Sequence, residues 1–252
     1  MKHILTYLLL WIGIAVWLEA AVRSDVVVIE ASEGVQYSTQ KIAKDYLLSY
    51  VYPEKRSFRK RVYNNLIVLD KNIKAIATHT KDKKTKGILS YFATEKAQII
   101  ELLNEKSTSE GAESMVGFSE IFVEGSKSIS KHHSYNFSKE EKMLMLTREM
   151  STLLENITKY YVAIGINVKD LSYRKNMKKM VSFFQEGLKN LNQYSYSDEL
   201  KETKVYLNRS WRVMQAYLNK VDSLKAPALL SISSKNIQMT LEKFSIYHSK
   251  NQ

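Results

Sequence analysis

Two stretches of the chain decide its fold, and each repeats the other. Residues 57–76 read SFRKRVYNNLIVLDKNIKAI, and residues 172–191 read SYRKNMKKMVSFFQEGLKNL. In both stretches apolar side chains recur at steps of four, three, four and three residues, which places one apolar stripe along an α-helix. The two stripes are Val62, Leu66, Leu69, Ile73, Ile76 and Met177, Val181, Phe184, Leu188, Leu191.

The offset of 115 residues between the two stretches holds along most of the chain. Ile42, Lys44 and Tyr46, for example, fall on Ile157, Lys159 and Tyr161. A self-match at one fixed offset indicates an internal repeat. Each copy contains four helical patterns with short connections, and short connections make consecutive helices antiparallel neighbours.

We therefore predict an all-α protein of two tandem up-down-up-down four-helix bundles related by this repeat. The bundles should occupy residues 32–131 and 138–249, with a linker over 131–137. The eight helices are expected over residues 32–52, 54–79, 83–105, 110–131, 139–166, 170–193, 198–223 and 228–249.

The composition favours the same class of fold. The 252 residues include only Gly 8 and Pro 2, fewer turn-forming residues than a β-sandwich, an α/β barrel or a glycine-rich nucleotide fold needs. With Cys 0, disulfides, thiolate metal sites and thiol nucleophiles are excluded.

The N-terminus has the pattern of a secretory signal peptide over residues 1–21. A positive start, Met1-Lys2-His3, precedes an apolar run over 4–18 and then small residues at Ala20 and Ala21. We expect cleavage near Ala21 and a periplasmic protein; the alternative is an uncleaved signal that anchors the chain in the membrane. The formal net charge of +12 would ordinarily suggest nucleic acid, but export argues against that partner.

Catalytic and metal-binding motifs do not stand out in the sequence. Nucleophile elbow, phosphate loop, dinucleotide fingerprint and zincin motif are all missing from it. His79, His132, His133 and His248 lack carboxylates at metal-ligand spacing, so we expect them to be solvated or to cap helices. The prediction is a protein that is not an enzyme and carries no metal or cofactor.

Basic residues concentrate between residues 54 and 86, where there are eleven Lys and Arg and only three acidic residues. One interpretation is attraction to an anionic partner or to anionic lipid headgroups, with Arg59, Lys60 and Arg61 as partner-binding residues. The other interpretation is a solvated, solubilising helix face.

Residues 35–48, which read VQYSTQKIAKDYLL, resemble the opening helix of the PilJ-type domain. This is the sensing domain of type IV pili methyl-accepting chemotaxis transducers, and it is related to nitrate-sensing helical bundles. The stretches NIKAIA at 72–77 and EEKML at 140–144 also resemble the family. The resemblance covers most of the chain after the signal peptide, as a tandem pair.

The resemblance implies an extracytoplasmic all-α sensor, a type often joined to a membrane helix and a cytoplasmic signalling part. The chain ends at Gln252 without either, so the expectation is a free-standing sensor-like module. Ligand-binding residues would be Gln36, Gln40 and Lys41. The positions of the family's arginines hold Gly34 and Gln36 here, so nitrate specificity does not carry over.

Two functions follow as hypotheses. The first is a periplasmic, non-enzymatic sensor-type module that binds a small molecule or anion between helices and signals to a membrane partner. The second is a structural or interaction protein of the cell envelope, associated with a type IV pilus. An interhelical pocket would favour the first hypothesis, whereas a bundle core without a pocket would favour the second.

Overall fold

The structure is a computed structural model that describes residues 2–166, 172–221 and 226–252, with side chains described from Arg23 onward. This part of the chain consists of eight α-helices with turns between them and contains no β-strand. The prediction of an all-α protein is confirmed. The helices are α1 Lys2–Val51, α2 Arg56–His79, α3 Lys83–Asn104, α4 Ser109–Lys131, α5 Lys139–Gly165, α6 Ser172–Gln193, α7 Asp198–Leu218 and α8 Pro227–Lys250.

Most helix ends lie within two residues of their predicted positions. Side-chain caps mark the starts of α3, α4 and α5. The Ser138 hydroxyl accepts from the backbone N–H of Glu141, and the Glu141 carboxylate accepts from the N–H of Ser138 at 2.6 Å. This capping box opens α5 at its predicted start, residue 139. The predicted start of the sixth helix at residue 170 lies outside the described residues. The predicted end of the seventh helix at 223 is wrong, because the helix ends at Leu218 and residues 219–221 form a turn.

The first helix is longer than the predicted 32–52. It runs without a break from Lys2 to Val51, and Val28 and Ala31 are buried, so the segment before residue 32 belongs to the packed body. The side chains of the expected signal peptide, residues 1–21, lie outside the described part. Among the helices whose side chains are described, none has both the length and the apolar character needed to span a membrane.

Two helices, α1 and α5, occupy the centre of the molecule. α1 packs against α2, α4 and α5, while α5 packs against α6, α8 and α1. The outer helices α3 and α7 pack against α4 and α8. Residues 42–48 of α1 and 153–163 of α5 are buried in every direction, which is the pattern of a helix enclosed on all sides.

The apolar stripes of the outer helices face these central helices in one continuous core. Phe92 of α3 meets Phe122 of α4 with ring centroids 4.5 Å apart, and Phe184 of α6 meets Trp211 of α7 at 4.1 Å. Aromatic pairs at this separation add to the stabilisation that comes from burial alone.

The core assignment can be tested at two positions that correspond to each other at the offset of 115 residues. Leu69 and Phe184 are both 0% exposed, so Leu69→Ala and Phe184→Ala should each lower the free energy of unfolding by about 2–5 kcal/mol. Urea denaturation followed by circular dichroism measures the loss. Ile67→Ala is the matched control, because Ile67 is 69% exposed on the same helix as Leu69 and should change stability by less than about 0.5 kcal/mol. Equal effects at Leu69 and Ile67 would contradict the assigned core face.

Candidate functional site

The interface between α1 and α5, here called the seam, contains charged groups that are buried. Lys44 Nζ of α1 lies 2.6 Å from Glu155 Oε2 of α5, and both side chains are almost inaccessible to solvent. The second carboxylate oxygen of Glu155 accepts from Gln238 Nε2 of α8 at 2.7 Å. Burial alone would lower the pKa of Lys44, but the carboxylates of Glu155 and Asp45 outweigh that effect and the pKa is raised. Lys44 is therefore a charged partner of a carboxylate in the interior.

A second buried lysine lies across the seam. Lys159 of α5 is fully buried, and its Nζ donates to the Ser119 hydroxyl of α4 at 3.1 Å, with the Glu120 carboxylate 3.8 Å away. Burial lowers the pKa of Lys159 to about 8, and Glu120 opposes that shift only in part. Lys159 is thus less strongly paired than Lys44, although the two lysines correspond to each other in the self-match at 115 residues.

Toward the N-terminal ends of α1 and α5 from these lysines, the seam opens into a cavity of about 630 Å³, here called the seam cavity. This volume lies within the range of small-molecule sites in proteins. α1, α5 and α8 supply nearly all of the lining, and α2 adds Asn72 close to Gly34. The lining consists of Val27, Glu30, Ala31, Glu33, Gly34, Tyr37, Asn72, Arg148, Ser151, Thr152, Lys235, Gln238, Met239, Glu242 and Ser245.

The seam cavity contains an ion pair and a carboxyl group with a shifted pKa. Arg148 of α5 pairs with Glu30 of α1 at 2.6 Å. Burial raises the pKa of Glu33 to about 8; Arg148 opposes this shift, while Glu30 and Glu149 add to it. Burial, with a contribution from Glu155, also raises the pKa of Tyr37. Shifted ionisable groups in a cavity are a recognised mark of binding and catalytic sites.

The predicted ligand-binding residues lie on α1 beside this cavity, and none of them is part of its lining. Gln36 is half-buried, and Gln40 is buried in the seam, where its Nε2 donates to the Ser119 backbone carbonyl at 3.4 Å. Lys41 does not line the cavity, but its Nζ lies 5.1 Å from the ring centre of Tyr37, which does. The structure brings Gln40 close to the environment of Lys159 and does not bring the three residues together.

Sequence reasoning missed Glu33, Tyr37 and Arg148, which the cavity brings together. One signal was available: Glu33 and Arg148 are separated by 115 residues, so the repeat places opposite charges at equivalent positions of the two central helices.

Two of the three predicted partner-binding residues line a different concavity, here called the basic groove, of about 790 Å³. It lies where the α1–α2 turn approaches the start of α4. Arg59 and Lys60 line it, together with Lys55, Arg56 and Lys106, and its described lining contains no acidic side chain. Arg61 does not line the groove. Its guanidinium donates to Asp45 Oδ1 of α1 at 3.0 Å and lies 4.4 Å from the Phe58 ring centre, so its role is structural.

The expectation that the histidines are solvated or capping is wrong at two of them. His248 is fully buried, with Nδ1 2.6 Å from Glu140 and Nε2 2.9 Å from the Tyr196 hydroxyl. His133 lies 2.6 Å from Asp25 in the same manner. Each carboxylate precedes its histidine by 108 residues, so spacing along the chain did not reveal the pairs.

His79 and His132, by contrast, contact backbone carbonyls of their own helices. In the described part of the chain, no group of three or more His, Asp or Glu is arranged to hold a metal ion.

No protein-family model, no curated protein and no solved structure matches the chain. The function is therefore argued from the cavity, the groove and the seam.

The seam generates a prediction about stability. Lys44→Met leaves the Glu155 carboxylate buried without its cation and should cost about 3–5 kcal/mol in the free energy of unfolding. Glu155→Met should cost a similar amount. The double variant should recover most of either loss, because two apolar groups replace a desolvated ion pair. Urea denaturation of all four proteins gives the coupling energy, and strictly additive losses would contradict a direct pair.

Proposed function

We propose that this chain is a duplicated, non-enzymatic sensor module that binds a small molecule in the seam cavity. The observation that carries the proposal is the cavity itself, a space of ligand size between the two central helices, with an ion pair and a carboxyl of raised pKa in its wall. Ligand sites in helical bundles are commonly built from side chains of facing helices.

Duplication into two four-helix bundles is part of this proposal. Contacts among α1–α4 follow the order of a four-membered ring, and α5 contacts α6 and α8 as α1 contacts α2 and α4. The His–carboxylate pairs support the repeat, since Asp25 and His133 fall on Glu140 and His248 at the offset of 115 residues. In each half this pair joins the first helix to the end of the fourth.

The seam offers a route for the signal. Glu30 meets Arg148 and Lys44 meets Glu155 in the same order along both helices, so α1 and α5 run parallel. A ligand between parallel helices can displace one along the other by about 1–2 Å, a scale known for signalling helices. If the signal segment is retained, α1 continues unbroken from Lys2, and we propose that it then carries this shift toward a membrane partner.

Export completes the proposal. The signal-peptide pattern of residues 1–21 supports a periplasmic location, or attachment to the membrane if the signal is retained. Residues 35–48 support membership of the PilJ-type family of type IV pilus and chemotaxis sensors. On this basis the ligand is extracytoplasmic, and the partner is a membrane signalling protein.

The sensor proposal predicts a ligand effect that depends on the cavity. In a metabolite library, a true ligand should raise the melting temperature of the wild type by mass action. It should have much less effect on Thr152→Trp, whose indole projects into the cavity and obstructs the ligand. Thr94→Trp, at an exposed site of α3, is the control and should respond as the wild type does. A ligand that stabilises Thr152→Trp equally does not bind in the seam cavity and counts against the proposal.

A second candidate function, an interaction protein of the cell envelope, is supported by the basic groove. Five cationic side chains around one concavity attract an anionic partner. The groove lies at the C-terminal end of α1. Residues 24–51 separate it from the start of the packed body by about 40 Å at 1.5 Å per residue. If α1 is anchored at its N-terminus, the groove faces away from that membrane, which favours an anionic macromolecule over the same lipid surface.

The groove predicts salt-sensitive binding. Association with vesicles containing phosphatidylglycerol, or with proteins of an envelope extract, should weaken steeply as salt shortens the Debye length from about 10 Å at 0.1 M to about 3 Å at 1 M. Arg56→Glu with Lys60→Glu should abolish it and leave helicity unchanged, since both side chains are exposed. Lys71→Glu with Lys74→Glu makes the same charge change on α2 outside the groove and should bind much as the wild type does. Equal loss in both double variants would assign the attraction to net charge and not to the groove.

A further inference from the structure

The seam cavity contains one carboxyl group that the fold leaves unmatched. Glu33 Oε2 is inaccessible to solvent and has no hydrogen-bond partner among the described residues. A buried carboxylate without a partner is costly, and proteins avoid it by protonation or by supplying a cation. The charged form of Glu33 would therefore be stabilised by a cation, and the cavity is large enough to admit one.

The charged groups around Glu33 do not include a free cation of the protein close to it. Arg148 and Glu149 face it from α5, but Arg148 is committed to Glu30 at 2.6 Å and Glu149 is a carboxylate. From α8, Lys235 and Glu242 lie on the exposed rim of the cavity, and α2 contributes the uncharged Asn72. The lining therefore has three carboxyl groups against two cations, one of which is already paired.

The remaining lining combines apolar side chains with four polar ones, Ser151, Thr152, Gln238 and Ser245. Val27, Ala31 and Met239 surround the space, and Tyr37 contributes an aromatic ring. Aromatic faces attract ammonium groups, and aliphatic side chains favour the apolar body that carries such a group.

We infer that the seam cavity binds a small organic cation, an ammonium group on an apolar body, with Glu33 as its counter-ion. This inference rests on the proposed sensor function and names the class of ligand. It replaces the anion of the sequence-based hypothesis with a cation, because the one uncommitted charged group inside the cavity is acidic.

Binding of a cation must be coupled to release of a proton. Since the pKa of Glu33 is raised to about 8, the carboxyl is mostly neutral at pH 7, and a bound ammonium favours its ionised form. The proton leaves to solvent, so binding should release roughly 0.9 proton at pH 7 and roughly 0.1 at pH 9. The affinity should rise about tenfold per pH unit below pH 8 and level off above it, while an alkylamine remains protonated throughout.

Three indole probes that differ only in the charge of the side chain test the inference. Tryptamine is a cation, indole-3-ethanol is neutral, and indole-3-acetate is an anion. Isothermal titration calorimetry on the full chain, in buffers of different ionisation enthalpy, gives both the affinity and the number of protons released. Tryptamine should bind at least about tenfold more tightly than the other two, the scale of one hydrogen bond to a charged group.

The variants assign the effect to Glu33. Glu33→Gln keeps the size of the side chain and should abolish both the preference for tryptamine and the proton release. Glu202→Gln removes the same charge from an exposed site of α7 outside the lining and should change neither. Circular dichroism checks that both variants fold. Proton release that persists in Glu33→Gln would overturn the role of Glu33.

The outcomes separate this inference from the function on which it rests. If indole-3-acetate or indole-3-ethanol binds as tightly as tryptamine and Thr152→Trp blocks it, the cavity is a ligand site but the class of ligand inferred here is wrong. If none of the three probes binds and no library compound distinguishes the wild type from Thr152→Trp, the sensor proposal and the inference both fail.

Discussion

The ion pair between Lys44 and Glu155 fixes how the two halves of the chain meet. Taking two charges out of water costs several kcal/mol for each, and their attraction offsets that cost only when the geometry is good. The 2.6 Å contact, with Gln238 occupying the other oxygen of Glu155, is made in one register of α1 against α5. A shift by one helical turn would leave both charges buried and apart. The seam cavity lies on the same two helices, N-terminal to this ion pair, so its position depends on the same register.

The second buried lysine lies in a different environment from the first, although the two positions are 115 residues apart in the self-match. Lys44 keeps a carboxylate within hydrogen-bond distance, whereas Lys159 has a hydroxyl at 3.1 Å and a carboxylate only at 3.8 Å. The pKa of Lys44 is raised and that of Lys159 is lowered to about 8, since burial dominates where the partner is weak. Two residues at equivalent positions of the repeat pattern thus hold their protons with different strength.

The outer helices could be predicted from sequence, whereas the roles of the central helices could not. On α2 and α6 an apolar stripe alternates with charges that lie in solvent, so periodicity alone located the buried face. On α1 and α5 the charged residues Lys44 and Glu155 lie within the buried stretches, where they pair with each other inside the protein. Burial of a charge depends on a partner distant in sequence, and single-sequence patterns do not report such partners. For the same reason the histidine pairs and the cavity, which both require contacts over about a hundred residues, were not predicted.

If the chain is duplicated as proposed, the parallel arrangement of α1 and α5 allows something that a dimer of identical subunits does not. Two identical subunits can meet in an isologous interface whose twofold axis runs along the helices. Every position is then occupied by the same residue on both sides, so a carboxylate on one side is matched by a carboxylate on the other. Glu33 would share its cavity with a second Glu33, and Gln40 would occupy the place of Glu155. Once the two halves are encoded separately, one side can become Arg148 and Glu155 while the other remains Glu33 and Gln40. The seam then has a polarity, with two unlike walls, and a ligand held between them can have only one orientation.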